Sequence, residues 1–404
     1  MTAVPATNRP ARGLPKLARL GLPKLARLGL RLAGSPRVQA LAARTPGLRW
    51  LVRREGEAIF DLVAGFVHSQ ILLALVELKV MPTLRDGPQS VTALAARCAV
   101  PVERMQLLLQ GGAALKLLKR RRDGRFDLAT RGAAFLAVPG LEAMVGHHDV
   151  LYRDLADPVA FFRGEVETEL SGFWPYVFGA AGASDPAVTA KYSGLMADSQ
   201  SLVAADTLRL VDFQGIKHLM DVGGGTGAFL AAVGQAHPLI RLSLFDLPVV
   251  VEAAPERLAK AGLMQRVEIH GGSFRDDPLP QGADAISLIR ILFDHQDATV
   301  AALLAKVFAA LPPGGRIIIA EPMSGGARPD RETDTYFALY TAAMRTGRTR
   351  SAVEISALLA QAGFAEIRPR PGFRPYVTSA ITAVRPLVAS DPVGSANPTQ
   401  AETV

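Results

Sequence analysis

The chain has 404 residues, 49% of them apolar, and a formal net charge of +8. That length and composition suit a packed globular protein with room for two ordinary domains. A single cysteine, Cys98, excludes a disulfide framework or a cysteine-based zinc cluster within one chain.

The charge is uneven. Residues 1–54 hold ten Arg and two Lys and no acidic residue, which leaves −4 for the other 350 residues. The basicity belongs to an N-terminal arm and not to the body. This argues against nucleic acid as the partner and for an attachment device. Within the arm, the eight letters of Gly13–Leu20 recur at Gly21–Leu28. Most of its leucines share one side of a helical wheel and most of its basic residues the other, while Pro15 and Pro23 interrupt a regular helix. Two readings stand: a segment drawn to anionic lipid, at about 1 kcal/mol per basic residue, or a disordered extension. The arm lacks the apolar core of a secretory signal. No run of about 20 apolar residues predicts a membrane span, so the expected location is cytoplasmic, peripheral on the inner membrane at most.

Residues 55–197 are mainly helical in pattern. Ile59 to Leu78 is strongly apolar. Ser90 caps a short helix, and Pro101 opens a second at the N1 position. Lys119 to Leu128 then reads as a hairpin about Asp123-Gly124. Helix, turn, helix, hairpin is a winged-helix pattern. Such domains often bind DNA, and Lys119 to Arg122 suits phosphates. The competing reading, favoured by the acidic body, is packing against a partner subunit with a solvated wing.

Residues 198–385 alternate strand and helix, the signature of a parallel α/β sheet. Strands are expected at 217–222, 239–246, 267–272, 284–292 and 316–321, with a terminal hairpin-like pair at 365–371 and 379–385. Residues 386–404 read as a disordered tail. The segment Asp221 to Gly227 is a glycine turn after the first strand, where a missing Cβ admits a ligand to the backbone. Asp246 ends the second strand, placed to accept from two ribose hydroxyls. Gly223, Gly225 and Ala228 also fit a dinucleotide pattern. The 200 preceding residues, the wide turn and the Pro312–Gly315 turn leading to Glu321-Pro322 favour S-adenosylmethionine.

With these residues in place, the region from Glu55 to Arg385 resembles the class I O-methyltransferases. The likeness rests on Asp221–Gly227, Phe245–Pro248, Gly271–Phe274, Asp294 with Asp297, and Pro313–Gly315 through Glu321-Pro322. It implies a Rossmann-like domain with a mostly parallel seven-stranded sheet, preceded by a helical winged-helix dimerisation domain, and hence a homodimer. It also implies cofactor contacts at Asp221, Gly223, Gly225, Asp246, Gly272, Ser273, Phe274 and Arg290. His147–Leu155, Gly271–Pro280 and Ile291–Asp297 carry a narrower likeness, to purple-bacterial carotenoid O-methyltransferases, and imply a hydroxylated acyclic carotenoid as substrate. A small phenolic or polyketide acceptor, or a regulator that has kept the cofactor fold, are the alternatives.

Two departures from the family pattern bear on chemistry. Gly272 stands where relatives commonly have an Asp for the adenine. Phe293 stands where many relatives have the His that takes the substrate's proton. His295 is the first replacement by residue type and Asp294 the second, with Glu321 to orient either. His147 and His148 are further candidates from the helical domain. The acceptor pocket is expected between Met144–Phe162 and Tyr336–Met344, with Phe161, Phe162, Phe173, Trp174 and Tyr176 as apolar lining. Arg345, Arg348 and Arg350 line a polar mouth, face lipid or are solvated.

Overall fold

The computed structural model describes residue 27 and residues 29–173 and 199–387. The tandem repeat apart from Arg27, Trp174, Tyr176, the expected boundary at 197/198 and the tail after 387 lie outside the described residues, as does the side chain of Phe173.

The chain divides into two compact units after Ala74. The first holds helix Pro36–Arg44 and most of the 30-residue helix Leu48–Glu77. The boundary expected at 54/55 falls inside that helix. Ile59, Phe60, Leu62, Val63 and Phe66 on it are exposed. By length and composition alone this helix is apolar enough to cross a bilayer, which corrects the expectation that no segment is. Asp61, His68, Ser69 and Gln70 break the letters into short runs, but one continuous helix averages over them.

The second unit begins with the winged-helix pattern. Ser90 Oγ accepts a hydrogen bond from the Ala93 N–H at 3.1 Å and so starts helix Val91–Cys98. Pro101 is the N-cap of Val102–Ala114, one position earlier than expected. Strands β1 (Leu118–Arg120) and β2 (Phe126–Leu128) pair antiparallel about Gly124, whose φ of +82° suits the turn. Lys119 and Arg121 lie 3.5 and 3.7 Å from Asp127, so the hairpin neutralises part of its own basic cluster.

The sheet that follows contains β3 (His218–Val222), β4 (Arg241–Asp246), β5 (Val267–Gly271), β6 (Ala285–Ile289), β7 (Arg316–Glu321), β8 (Ala365–Arg370) and β9 (Ser379–Val384). Its order is β5-β4-β3-β6-β7-β9-β8, with β3 to β7 parallel and β9 antiparallel to both of its neighbours. The seven-stranded, mostly parallel sheet is the one expected. Strand periodicity divides the core. Ile317 and Ile319 face helices Asp297–Ala310 and Ala352–Gln361, while Ile318 and Ala320 share the other face with Phe229, Leu230 and Val233. After β3 the chain builds β4 and β5 on one side, then crosses to β6 on the other. That reversal opens a crevice at the carboxyl ends of the strands, where ligands bind in such sheets.

Candidate active site

The crevice widens into a cavity of about 680 Å³. Its wall includes Gly223–Thr226, Asp246, Arg290, Phe293 and Asp294 together with Leu141, Met144, Tyr336, Phe337, Tyr340 and Met344. The two wall segments expected from sequence, around Met144 and from Tyr336 to Met344, therefore do meet. Phe162 does not join them: it is 73% exposed. Phe161 packs beside Leu151 and Tyr340 instead of lining the cavity.

At the glycine turn the backbone is held in an unusual path. Gly223 and Gly225 have φ of +70° and +60°, and a methyl group on Gly223 would collide with the Ile291 side chain. Nothing lies within 4 Å of where a methyl on Gly225 would stand, so the turn is open to a ligand. Asp246 fixes it: one carboxylate oxygen accepts from the Gly225 N–H at 2.7 Å, the other from the Leu247 N–H at 2.7 Å. Each oxygen keeps a lone pair for a ribose hydroxyl. Burial raises the Asp246 pKa to about 6, against the pull of those two hydrogen bonds.

Asp221, expected to contact the cofactor, stands buried beneath the turn, outside the cavity wall. It accepts from Ser287 Oγ at 2.6 Å and is buried, and that burial raises its pKa to about 7. Gly272, Ser273 and Phe274 are also absent from the cavity wall, although the Phe274 ring edges the turn near Gly223. The Gly272 N–H donates to the Asp246 carbonyl at 2.9 Å. A Cβ at Gly272 would lie 2.8 Å from the Phe245 ring, so the aspartate of relatives has no room here. Arg290 lines the cavity, in the left-handed region at φ +60°, and donates to Ser199 Oγ at 2.7 Å. A non-glycine residue held there is strained, as residues at functional sites often are.

The proton-handling candidates separate cleanly. His295 does not line the cavity. Its Nδ1 receives a hydrogen bond from Arg275 at 3.0 Å. Burial, then Arg275 and Arg350, lower its pKa to about 3. An imidazole whose Nδ1 is already occupied by Arg275 and which stands outside the wall is poorly placed for the base role expected of it. Nor does it cap a helix, since the N-cap of Asp297–Ala310 is Gln296. Glu321 is buried behind the wall, and its Oε2 accepts from the N–H groups of Leu292 and Phe293 at 3.0 and 3.3 Å. Its burial raises its pKa to about 8. Asp294 alone of the three stands in the cavity wall. Its removal from water raises its pKa to about 7, with Arg290 pulling it down.

Arg350 is the residue that sequence reasoning misplaced. It is fully buried and donates to the carbonyls of Leu292 and His295 at 2.7 and 2.8 Å, and to Asp297 Oδ1 at 2.6 Å. Together with Glu321 it clamps both polarities of the turn that carries Phe293 and Asp294. Arg348 pairs with Asp297 and Glu354 and lines no mouth. His147 and His148 are not surface residues: their Nε2 atoms lie 2.9 and 2.7 Å from the hydroxyls of Tyr340 and Tyr336.

An open glycine turn, a carboxylate at the end of the second strand and an adjoining apolar chamber define a class I methyltransferase. Comparison with known proteins agrees. Residues 152–365 match the O-methyltransferase domain and residues 60–137 the O-methyltransferase dimerisation domain. The chain is 70% identical to the demethylspheroidene O-methyltransferase of Cereibacter sphaeroides over 94% of its own length and 98% of that protein's. It is 54% identical to the Rhodobacter capsulatus protein of the same name over 88% of each. Human N-acetylserotonin methyltransferase in complex with SAM superposes with a TM-score of 0.68 at 25% identity, over 82% of this chain and 98% of that one. The chain belongs to the O-methyltransferase family and is an S-adenosylmethionine-dependent enzyme.

Proposed function

We propose that this enzyme methylates the tertiary 1-hydroxyl of an acyclic carotenoid of the demethylspheroidene or hydroxyneurosporene type. The observation that carries this reading is the 70% identity, over nearly the whole of both chains, to a demethylspheroidene O-methyltransferase. The chamber suits such an acceptor, because Leu141, Met144, Phe337 and Met344 offer an apolar wall. S-adenosylmethionine held beside Gly223–Gly225 would supply an electrophilic methyl group, its methyl–sulfur bond breaking to leave neutral S-adenosylhomocysteine. The chain's own residues do the rest. Asp246 holds the ribose, the wall excludes water, and Asp294 receives the hydroxyl proton as the new C–O bond forms. Glu321 and Arg350 keep Asp294 in place without meeting substrate.

A homodimer goes with this reading. The dimerisation domain and the exposed Phe60, Leu62, Val63 and Phe66 support a second copy covering that helix face. The site of action is the cytoplasmic face of the inner membrane, where the acceptor dissolves, with the basic arm as a further attachment. The test is product analysis with labelled S-adenosylmethionine and detergent-dispersed hydroxycarotenoids. A labelled methoxycarotenoid is expected. Label in small phenols only would overturn the acceptor, and no label in either would favour a cofactor-binding regulator.

A further inference from the structure

The loop at 371–378, between β8 and β9, sits at the carboxyl edge of the sheet, because Ser379 of β9 pairs with Glu321 at the end of β7. It is built to hold a shape. The Val377 and Thr378 N–H groups both donate to the Arg374 carbonyl, at 2.8 and 3.1 Å. The Gly372 N–H donates to Ser379 Oγ at 3.1 Å. The Arg374 guanidinium reaches inward to grip Asp206 with two bonds of 2.7 and 2.9 Å, and Asp206 is buried. Arg374, Tyr376 and Val377 then form part of the cavity wall.

The outer side of the same loop is apolar and aromatic. Phe373 is 92% exposed and Tyr376 50%, and Pro371 and Pro375 are exposed beside them. Single exposed apolar residues need no explanation. A loop that lines the cavity through Arg374, Tyr376 and Val377 and presents Phe373 and two prolines outside it does. Arg370, exposed at the end of β8, adds a cation next to this patch. An aromatic tip with a flanking cation matches the boundary between acyl chains and anionic headgroups.

The acceptor supplies the reason. This step rests on the carotenoid reading given above. A cavity of about 680 Å³ is the size that one drug-like ligand fills, and here it must hold the cofactor as well as the acceptor's hydroxyl end. The remainder of a long polyene has to leave through the rim. We infer that the 371–378 loop docks on an anionic lipid surface, Phe373 entering the acyl region, so that the acceptor's end passes from bilayer to cavity beside Tyr376 without crossing water.

The test uses the full chain and vesicles of phosphatidylcholine and phosphatidylglycerol, with and without brominated acyl chains. Phe373→Trp adds an emission to that of Trp50 and Trp174, and brominated lipid is expected to quench the added part. Phe373→Ser is expected to lower the methylation rate on vesicle-borne hydroxycarotenoid by roughly tenfold, the scale of one buried aromatic, and to leave the rate on detergent-dispersed acceptor within about twofold. Unquenched added emission, or equal loss in vesicles and detergent, overturns the docking. So does a Phe373→Ser protein whose oligomeric mass falls in lipid-free buffer, since the patch then meets a second copy. A wild-type enzyme that methylates no carotenoid even in detergent overturns the acceptor reading, whereas the quenching result stands independently of it.

Discussion

The Tyr336 hydroxyl lies 2.7 Å from His148 Nε2, joining its part of the cavity wall to helix Leu141–Asp154, whose Leu141 and Met144 also line it. Burial holds the His148 pKa below its ordinary value and the Tyr336 pKa above its own, so both are neutral near pH 7. The neutral pair is a positioning device: His148 fixes the hydroxyl of Tyr336 and so holds that ring in the wall. Tyr336→Phe is expected to leave His148 Nε2 without that partner and to cost about 1–3 kcal/mol of stability. A loss of kcat with unchanged S-adenosylmethionine affinity by calorimetry would show that the hydroxyl also orients the acceptor. A fall in cofactor affinity instead would mean the chamber has collapsed.

The role of Asp294 predicts a division among three neighbouring residues. Asp294→Asn is expected to lower kcat by about 10²–10⁴-fold, the usual contribution of a positioned base. Cofactor affinity should fall much less than kcat, because Asp246 and not Asp294 fixes the glycine turn. The wild-type rate should rise with pH with a midpoint near 7, the value to which shielding raises Asp294, and Asp294→Asn should lose that limb. His295→Gln should cost less than about tenfold. If His295→Gln abolishes turnover while Asp294→Asn is active, the assignment is reversed.

Four carboxyl groups around the cofactor site share one perturbation. Burial raises Asp221 to about 7, Asp246 to about 6, Asp294 to about 7 and Glu321 to about 8. A raised carboxyl pKa means that the folded state binds protons which the unfolded chain has already released. That contribution is complete below the unfolded values and is lost as pH rises through the folded ones. The lowered His148 and His295 act oppositely, but only below their unfolded pKa of 6.5. Between about pH 6.5 and 8.5 the carboxyls decide, and the Tm of the ligand-free enzyme should fall. A cationic sulfonium favours the ionised carboxylates, so S-adenosylmethionine should bind more tightly as pH rises through this window. S-adenosylhomocysteine, neutral at sulfur, should show a smaller slope. Equal slopes in paired titrations would falsify the electrostatic coupling.

The parts of this enzyme that were readable from sequence are those fixed by local rules. Gly223 to Gly227 after an apolar strand, Asp246 at the end of the next and Ser90 before a helix are each dictated by neighbours in the chain. Roles that depend on approach from a distance were not readable. Arg350 reaches Leu292 across 58 residues and His148 reaches Tyr336 across 188. Nothing in the spacing of either pair announces the contact. His295 illustrates the same limit, since its residue type suits a base and only the position of Arg275 beside its ring shows otherwise. Gly272 is legible as a departure, but the Phe245 ring that crowds it belongs to β4.

The Arg350 clamp gives the last prediction. A fully buried guanidinium that satisfies two backbone carbonyls and Asp297 is costly to remove, because its partners stay behind unpaired. Arg350→Met is expected to destabilise the fold by about 3–5 kcal/mol, read as a lower midpoint in urea at unchanged slope. Arg350→Lys keeps a charge but not the planar fork, so it cannot serve both carbonyls and Asp297 at once. It should fold and bind the cofactor, yet lose kcat, because the turn from Leu292 to His295 would no longer hold Asp294 at one position in the wall. If Arg350→Lys retains full kcat, the clamp stabilises the fold alone, and Glu321 suffices to position the turn through the Leu292 and Phe293 N–H groups.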